Sequence, residues 1–192
     1  ERNITSVTFV TEMEGLQLTC NVGDDNTVTM QFPSKPPTLA PPNSFDEITA
    51  ALNLLPIDVL SIHITNDPQQ ITKAFNLLIV ISPEAFDRVT PDFTALAAST
   101  RYTHGVIVTC RSSPTDQSDF KSRYFAPKIG IPEDPVTGSA HLTSAPYWSN
   151  VLAKETVVGY QASERGGYVK CKVTENVQLQ GMVTKVSSGE LA

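Results

Sequence analysis

The chain has 192 residues, 40% of them apolar, and Lys+Arg 14 against Asp+Glu 20 leave a net charge of -6. That length holds one large domain or one and a half small ones at ~100–200 residues each. The acidic balance and the lack of any basic cluster exclude a nucleic-acid partner, because phosphate neutralisation needs a positive surface. No run approaches the ~18–20 apolar residues of a membrane span, and the opening ERNITSVTFV is not a signal peptide. A cytoplasmic protein that engages neither nucleic acid nor membrane is expected.

Residues 4–11, 16–22 and 27–32 read as a three-stranded meander, with turn signals at Glu14-Gly15 and across Gly23-Asp24-Asp25-Asn26. A sheet of so few strands is marginal in water, so the meander is expected to pack on sequence outside the chain or on another chain. A homodimer is one such arrangement. Residues 33–43 then carry five prolines in eleven positions, PSKPPTLAPPN. That stretch reads as an extended linker and sets a domain boundary, with 1–33 before it and 44–192 after it. Ser44 with Glu47 three residues on has the spacing of a capping box, and Ile48, Ala51, Leu52 and Leu55 continue a helix that stops at Pro56.

Residues 59–65, 74–81 and 105–110 are rich in β-formers, while 83–89 and 92–98 read as short helices. After residue 152, strands are expected at 156–161, 167–173, 177–179 with 181–186, and 189–191. Their connections are too short for parallel crossovers. Cys20, Cys110 and Cys171 lie far apart without CxxC spacing and read as small buried hydrophobes, and His63, His104 and His141 make no ligand pair, so no metal is expected. Asn3-Ile4-Thr5 is a chance glycosylation sequon in a cytoplasmic protein.

The most informative stretch is 119–152. It reads as a strand to residue 125, a loop punctuated by Pro127, Gly130, Pro132 and Pro135, and a helix from Gly138. Ala140, Ala145, Trp148, Val151 and Leu152 share the helix's apolar face, and Pro146 lies inside it. This helix needs covering on several sides, so an α+β fold with an antiparallel sheet wrapped around it is expected. The first turn leaves backbone N–H groups facing the loop, a place for an anion, and Glu133 and Asp134 stand beside it as acid–base groups. Each piece also has a plainer structural use. Acidic residues favour a helix start, and Ser139 can cap the first turn. Pocket-side groups are expected at Thr137, Gly138, Ser139 and His141.

The segments RYFAP (123–127), EDPVTGSAH (133–141), PYW (146–148) and GYQASERGG (159–167) resemble the phenazine-biosynthesis PhzF-like family. The resemblance covers nearly the whole chain and implies a diaminopimelate-epimerase-like fold of two sheet-wrapped halves with a cleft between them. This chain would be the C-terminal two-thirds, one complete domain plus closing strands of a truncated first domain, to which the last strand returns. The resemblance further implies a cofactor-independent isomerase or epimerase that moves a proton on a carboxylate-bearing small molecule. Asp134 and Ser139 match its cleft aspartate and serine and take the catalytic places. Thr137, Gly138, Ser139 and Ala140 look like half of the substrate-carboxylate cradle. Arg123 is expected to hold the loop through a salt bridge. The family's catalytic glutamate would precede Glu1, and no glutamate in the chain has a matching context. A catalytically inactive binding or interaction module therefore stays open beside the isomerase. Serine hydrolysis is disfavoured, since Gly138-Ser139-Ala140 is no nucleophile elbow.

Overall fold

The computed structural model describes residues 5–10, 17–23, 26–41, 45–65, 76–99 and 104–184. The meander forms as read: β1 (Ser6–Val10), β2 (Gln17–Val22) and β3 (Thr27–Pro33) pair antiparallel in sequence. The Pro-rich stretch that follows is extended, yet it is tied down. Its Thr38–Leu39 forms a short β4 against β5 (Val59–Ile64), and the Ala40 N–H donates to the Ile62 carbonyl at 2.9 Å. Helix α1 covers Asp46–Ala51 with Phe45 at its N-cap and no side-chain cap. The expected capping box is thus not the helix start: Ser44 lies outside the described residues, and the Glu47 carboxylate accepts from Ser99 Oγ at 2.6 Å instead.

Strand β6 (Leu77–Ile81) follows, then α2 (Pro83–Phe86), α3 (Phe93–Ala98), β7 (Val106–Arg111) and β8 (Phe120–Phe125). The long helix α4 spans Gly138–Leu152, and β9 (Thr156–Gln161), β10 (Gly167–Val173) and β11 (Asn176–Met182) complete the described chain. All the strands join one sheet in the order β1-β2-β3-β11-β10-β9-β8-β7-β6-β5-β4. The strand expected at 189–191 and the sequon at Asn3 lie outside the described residues.

The expectation of an antiparallel sheet is corrected to a mixed one, because β6 runs parallel to β7 and β8 parallel to β9. A parallel pair needs a long crossover. Residues 82–105 supply one with α2 and α3, and residues 126–155 supply the other with α4. The two crossovers lie on opposite faces. Leu77, Ile79, Ile81, Val106 and Val108 pack with α1–α3, whereas Leu78, Val80 and Ile107 pack with α4. Covered on both sides, β6 is buried at every position of LLIVI.

Beyond α4 the strands are antiparallel as expected, and β11 continues into β3 with pairs running from Asn176↔Pro33 to Met182↔Thr27. The sheet wraps α4, which touches β7, β9, β10 and β11. Trp148 anchors the helix. It stacks on Phe120 with centroids 5.9 Å apart, and its indole N–H donates to Thr109 Oγ1 at 2.9 Å. Pro146 has no N–H to give the Leu142 carbonyl one turn back. The Lys35 N–H, from the Pro-rich stretch, donates to that carbonyl at 3.3 Å. Cys110 and Cys171 are buried as read, and burial pushes each thiol up to about 12; Cys20 is half-buried, and all three are free.

Candidate active site

Because β8 and β9 are parallel, the residues just past their C-terminal ends meet. These are the 126–137 loop and the 162–166 turn. Gly130 turns the loop at φ 81 and Gly166 the turn at φ 68, conformations that only glycine adopts freely. Gly167 lets the two close up, since a Cβ there would stand 2.6 Å from Val136 Cγ2.

Arg123 braces the loop from β8. Its Nε and Nη2 donate to the two Glu133 carboxylate oxygens at 2.8 and 2.9 Å, and its Nη1 donates to the Val89 carbonyl at 2.8 Å. The guanidinium also lies 4.9 Å over the Phe125 ring centroid. A bidentate pair of this kind commits both oxygens. Glu133, read beside Asp134 as an acid–base group, is therefore a structural anchor, as Arg123 was expected to be.

Asp134 is held differently. Its N–H donates to the Tyr124 carbonyl at 3.0 Å, and its Oδ2 accepts a short hydrogen bond from the Thr137 hydroxyl. Thr137 is the N-cap of α4, with extended φ -108 and ψ 103, but its side chain caps nothing and turns to Asp134. Ser139 sits one residue inside the helix and is exposed, so it does not cap the first turn; its hydroxyl makes no hydrogen bond among the described residues. Gly138 is exposed as well, whereas Ala140 is buried and contributes only its backbone. The first-turn amides of Gly138, Ser139 and Ala140 have no intrahelical acceptor, and the helix dipole adds about half a positive charge there. A hollow of about 400 Å3 is lined by Glu133 and Pro135, the chain neighbours of Asp134, and by Ser163, Glu164 and Arg165.

His141 does not face this surface as expected. Its side chain is fully buried 6.0 Å from the Phe120 ring, and its Nδ1 donates to the Thr137 carbonyl at 2.8 Å while Nε2 has no partner among the described residues. Burial lowers its pKa, so the ring is neutral. Reading the sequence missed Gln161 and Ser163. Gln161 is fully buried and bonded to both Asp134 and Thr137, and Ser163 Oγ donates to the Pro135 carbonyl at 2.7 Å. A signal existed for Gln161: it follows Val157 and Gly159 on the inward side of β9, where an amide must find partners. Among the described residues, no three His, Cys, Asp or Glu side chains gather as metal ligands would. None of the described helices is long and apolar enough to cross a membrane, which says nothing of a β-barrel.

A profile of phenazine biosynthesis-like proteins matches residues 4–189. The chain belongs to this family. It is 38% identical over 170 residues to an uncharacterized isomerase of Pseudomonas aeruginosa, covering 88% of this chain and 58% of that one. It is 34% identical to the mouse phenazine biosynthesis-like domain-containing protein 1, covering 99% of this chain and 66% of the relative. Among solved structures, a PhzF-family protein of Enterococcus faecalis superposes with a TM-score of 0.77 at 32% identity over 95% of this chain and 63% of that one. A Clostridium difficile protein described as a putative phenazine biosynthesis PhzC/PhzF protein gives the same TM-score at 26% identity, over 99% and 66%. The chain thus spans under two thirds of these family members' length. The expectation that it is specifically their C-terminal part is not borne out by these comparisons, which give the share covered and not its place. The family has the expected α+β, PhzF-like fold, and its named relatives include isomerases.

Proposed function

We propose that the chain supplies one wall of a cofactor-independent isomerase cleft, in which a proton moves on a carboxylate-bearing small molecule. Asp134 and Ser139 touch the substrate there, and the amides of Gly138, Ser139 and Ala140 receive its carboxylate. The observation that carries this reading is the bare first turn of α4 beside a fixed aspartate carboxylate. Ser139 is free of capping duty. At Gly138 an added Cβ would meet only Leu179 Cδ1 at 3.6 Å, an ordinary contact, so packing within the chain does not require a glycine there. What the missing side chain leaves open is approach from outside. The principal glutamate acid/base comes from outside the chain, and residues 1–33 are closing strands of the domain that carries it, with 44–192 as the second domain and 34–43 joining the two while hydrogen-bonded to the second. The protein works in the cytoplasm.

The second reading, an inactive binding module that pairs as a homodimer, is favoured by the exposure of β1, where Phe9 and Val10 are 53% and 66% exposed at the sheet's open edge. Deuterium exchange separates the two. The full open reading frame encoding this chain is incubated in D2O with a panel of amino and aromatic carboxylic acids, and solvent deuterium is followed by NMR. Uptake into one of them, slowed about 10²-fold by Asp134→Asn, supports the isomerase. No uptake into any of them supports the module, and unchanged uptake in Asp134→Asn removes Asp134 from the site.

A further inference from the structure

We infer that Gln161 is a positioning residue that aims the Asp134 carboxylate through the Thr137 hydroxyl, an inference that rests on the assignment of Asp134 to the proposed site. Gln161 ends β9 with no exposed surface, so it does not meet substrate itself. Its amide spans the turn that presents Asp134. Oε1 accepts the Thr137 N–H at 2.7 Å, while Nε2 donates to the Asp134 carbonyl at 2.6 Å and to Thr137 Oγ1 at 3.0 Å. Chemistry fixes which end of the amide faces which way. A backbone N–H can only donate, so the amide oxygen must face Thr137 N, and the NH2 group is left for the two acceptors.

The direction of the next bond follows. Thr137 Oγ1 already accepts from Gln161 and has one proton, which goes to Asp134 Oδ2. Oδ2 is thereby occupied, and Oδ1, which is not a buried unpaired atom, makes no hydrogen bond among the described residues. Gln161 holds the turn at both ends, by the carbonyl of residue 134 and by the N–H and hydroxyl of residue 137. His141 pins the last free group of Thr137, its carbonyl, from below at 2.8 Å. Every polar group of Thr137 is engaged, so the hydroxyl cannot turn away without breaking the Gln161 bond.

The test begins without a substrate. Three-bond NMR couplings across the Asp134 Cα–Cβ bond report a single rotamer in the wild-type chain. Gln161→Glu keeps the shape and the acceptor but loses both donors, and Thr137→Val keeps the fold and removes the relay. Both are expected to give averaged couplings, with Thr137→Val informative even if the buried carboxyl of the first variant prevents folding. In the deuterium-uptake assay both lower kcat about 10²-fold with KM changed less than threefold, and the losses are less than additive in the double variant, because the two variants share the Gln161–Thr137 hydroxyl bond. Unchanged Asp134 couplings in Thr137→Val would overturn the inference, as would additive losses in the double variant. If the couplings respond but no carboxylate takes up deuterium, the isomerase reading falls and the positioning role stands.

Discussion

Gly159→Ala tests the packing beneath the site. A Cβ at this position would lie 2.5 and 2.8 Å from Phe120 Cζ and Cε2 and 2.9 Å from His141 Nε2. Carbon atoms rest at about 3.5–4.0 Å, so the Phe120 ring must retreat by about 1 Å and the His141 ring by about half as much. Neither has room. Phe120 is fully buried and stacked on Trp148, and His141 is fully buried and tethered to Thr137. Gly159 does not have positive φ, so the substitution also removes unfolded-chain entropy and returns about 0.4–1 kcal/mol. Against an overpacking cost of about 1–3 kcal/mol, a net loss of about 1–2 kcal/mol is expected. For a domain of this size, that lowers Tm by about 2–8 °C. Thermal melts followed by circular dichroism measure it, with urea titrations at unchanged slope to show that stability and not compactness changed. Gly181→Ala is the control, since its Cβ would meet nothing nearer than the Tyr168 carbonyl oxygen at 3.9 Å. If Gly159→Ala melts within 1 °C of wild type, or Gly181→Ala falls equally far, the packing account is wrong.

Two further outcomes follow from burial. The folded chain keeps His141 neutral below its ordinary value, so the unfolded chain binds the extra proton and stability falls as pH drops through about 6.5, by up to ~1.4 kcal/mol per pH unit. Urea midpoints between pH 7.5 and 5.5 should show a shallower slope in His141→Gln, and an identical slope would count against the assignment. A disulfide-exchange thiol reagent at pH 8 should label Cys20 first and reach Cys110 and Cys171 only as fast as the chain unfolds, because those two thiols are buried and protonated. Equal labelling rates at the three sites would contradict this.

Elements bounded by strong punctuation were legible in the sequence. Helix α4 begins at Gly138 and ends at Leu152 as read, and β9 and β10 match their expected limits; Pro135 and Gly138 mark the helix start, and Gly166-Gly167 the turn between the two strands. Strand direction was harder. The helices of the 82–105 crossover were each recognised, but local periodicity does not say whether the strands on either side run parallel. The unbroken LLIVI of β6 was the available sign, because an edge or half-solvated strand alternates. At the proposed site, sequence spacing pointed to Thr137 and Ser139 and gave Glu133 and Asp134 equal standing, and the family resemblance singled out Asp134. In the structure the position of Arg123, ten residues earlier on β8, separates them. The bonds of Gln161 span 24 and 27 residues, and no spacing rule reaches that far.

The proline inside α4 bears on where a folding unit can be cut. The Leu142 carbonyl, released by Pro146, takes its donor from Lys35, and the residues next to it add β4 to the far edge of the sheet. By composition the 33–43 stretch looks like a tether between units. By hydrogen bonding it is a plug, and a chain trimmed to begin at Phe45 would keep all of α4 while leaving one of its carbonyls short of a partner, at a cost of about 1–3 kcal/mol. Strand β11 would lose its neighbour β3 in the same cut. The boundary that proline content marks so plainly is therefore one the backbone does not respect.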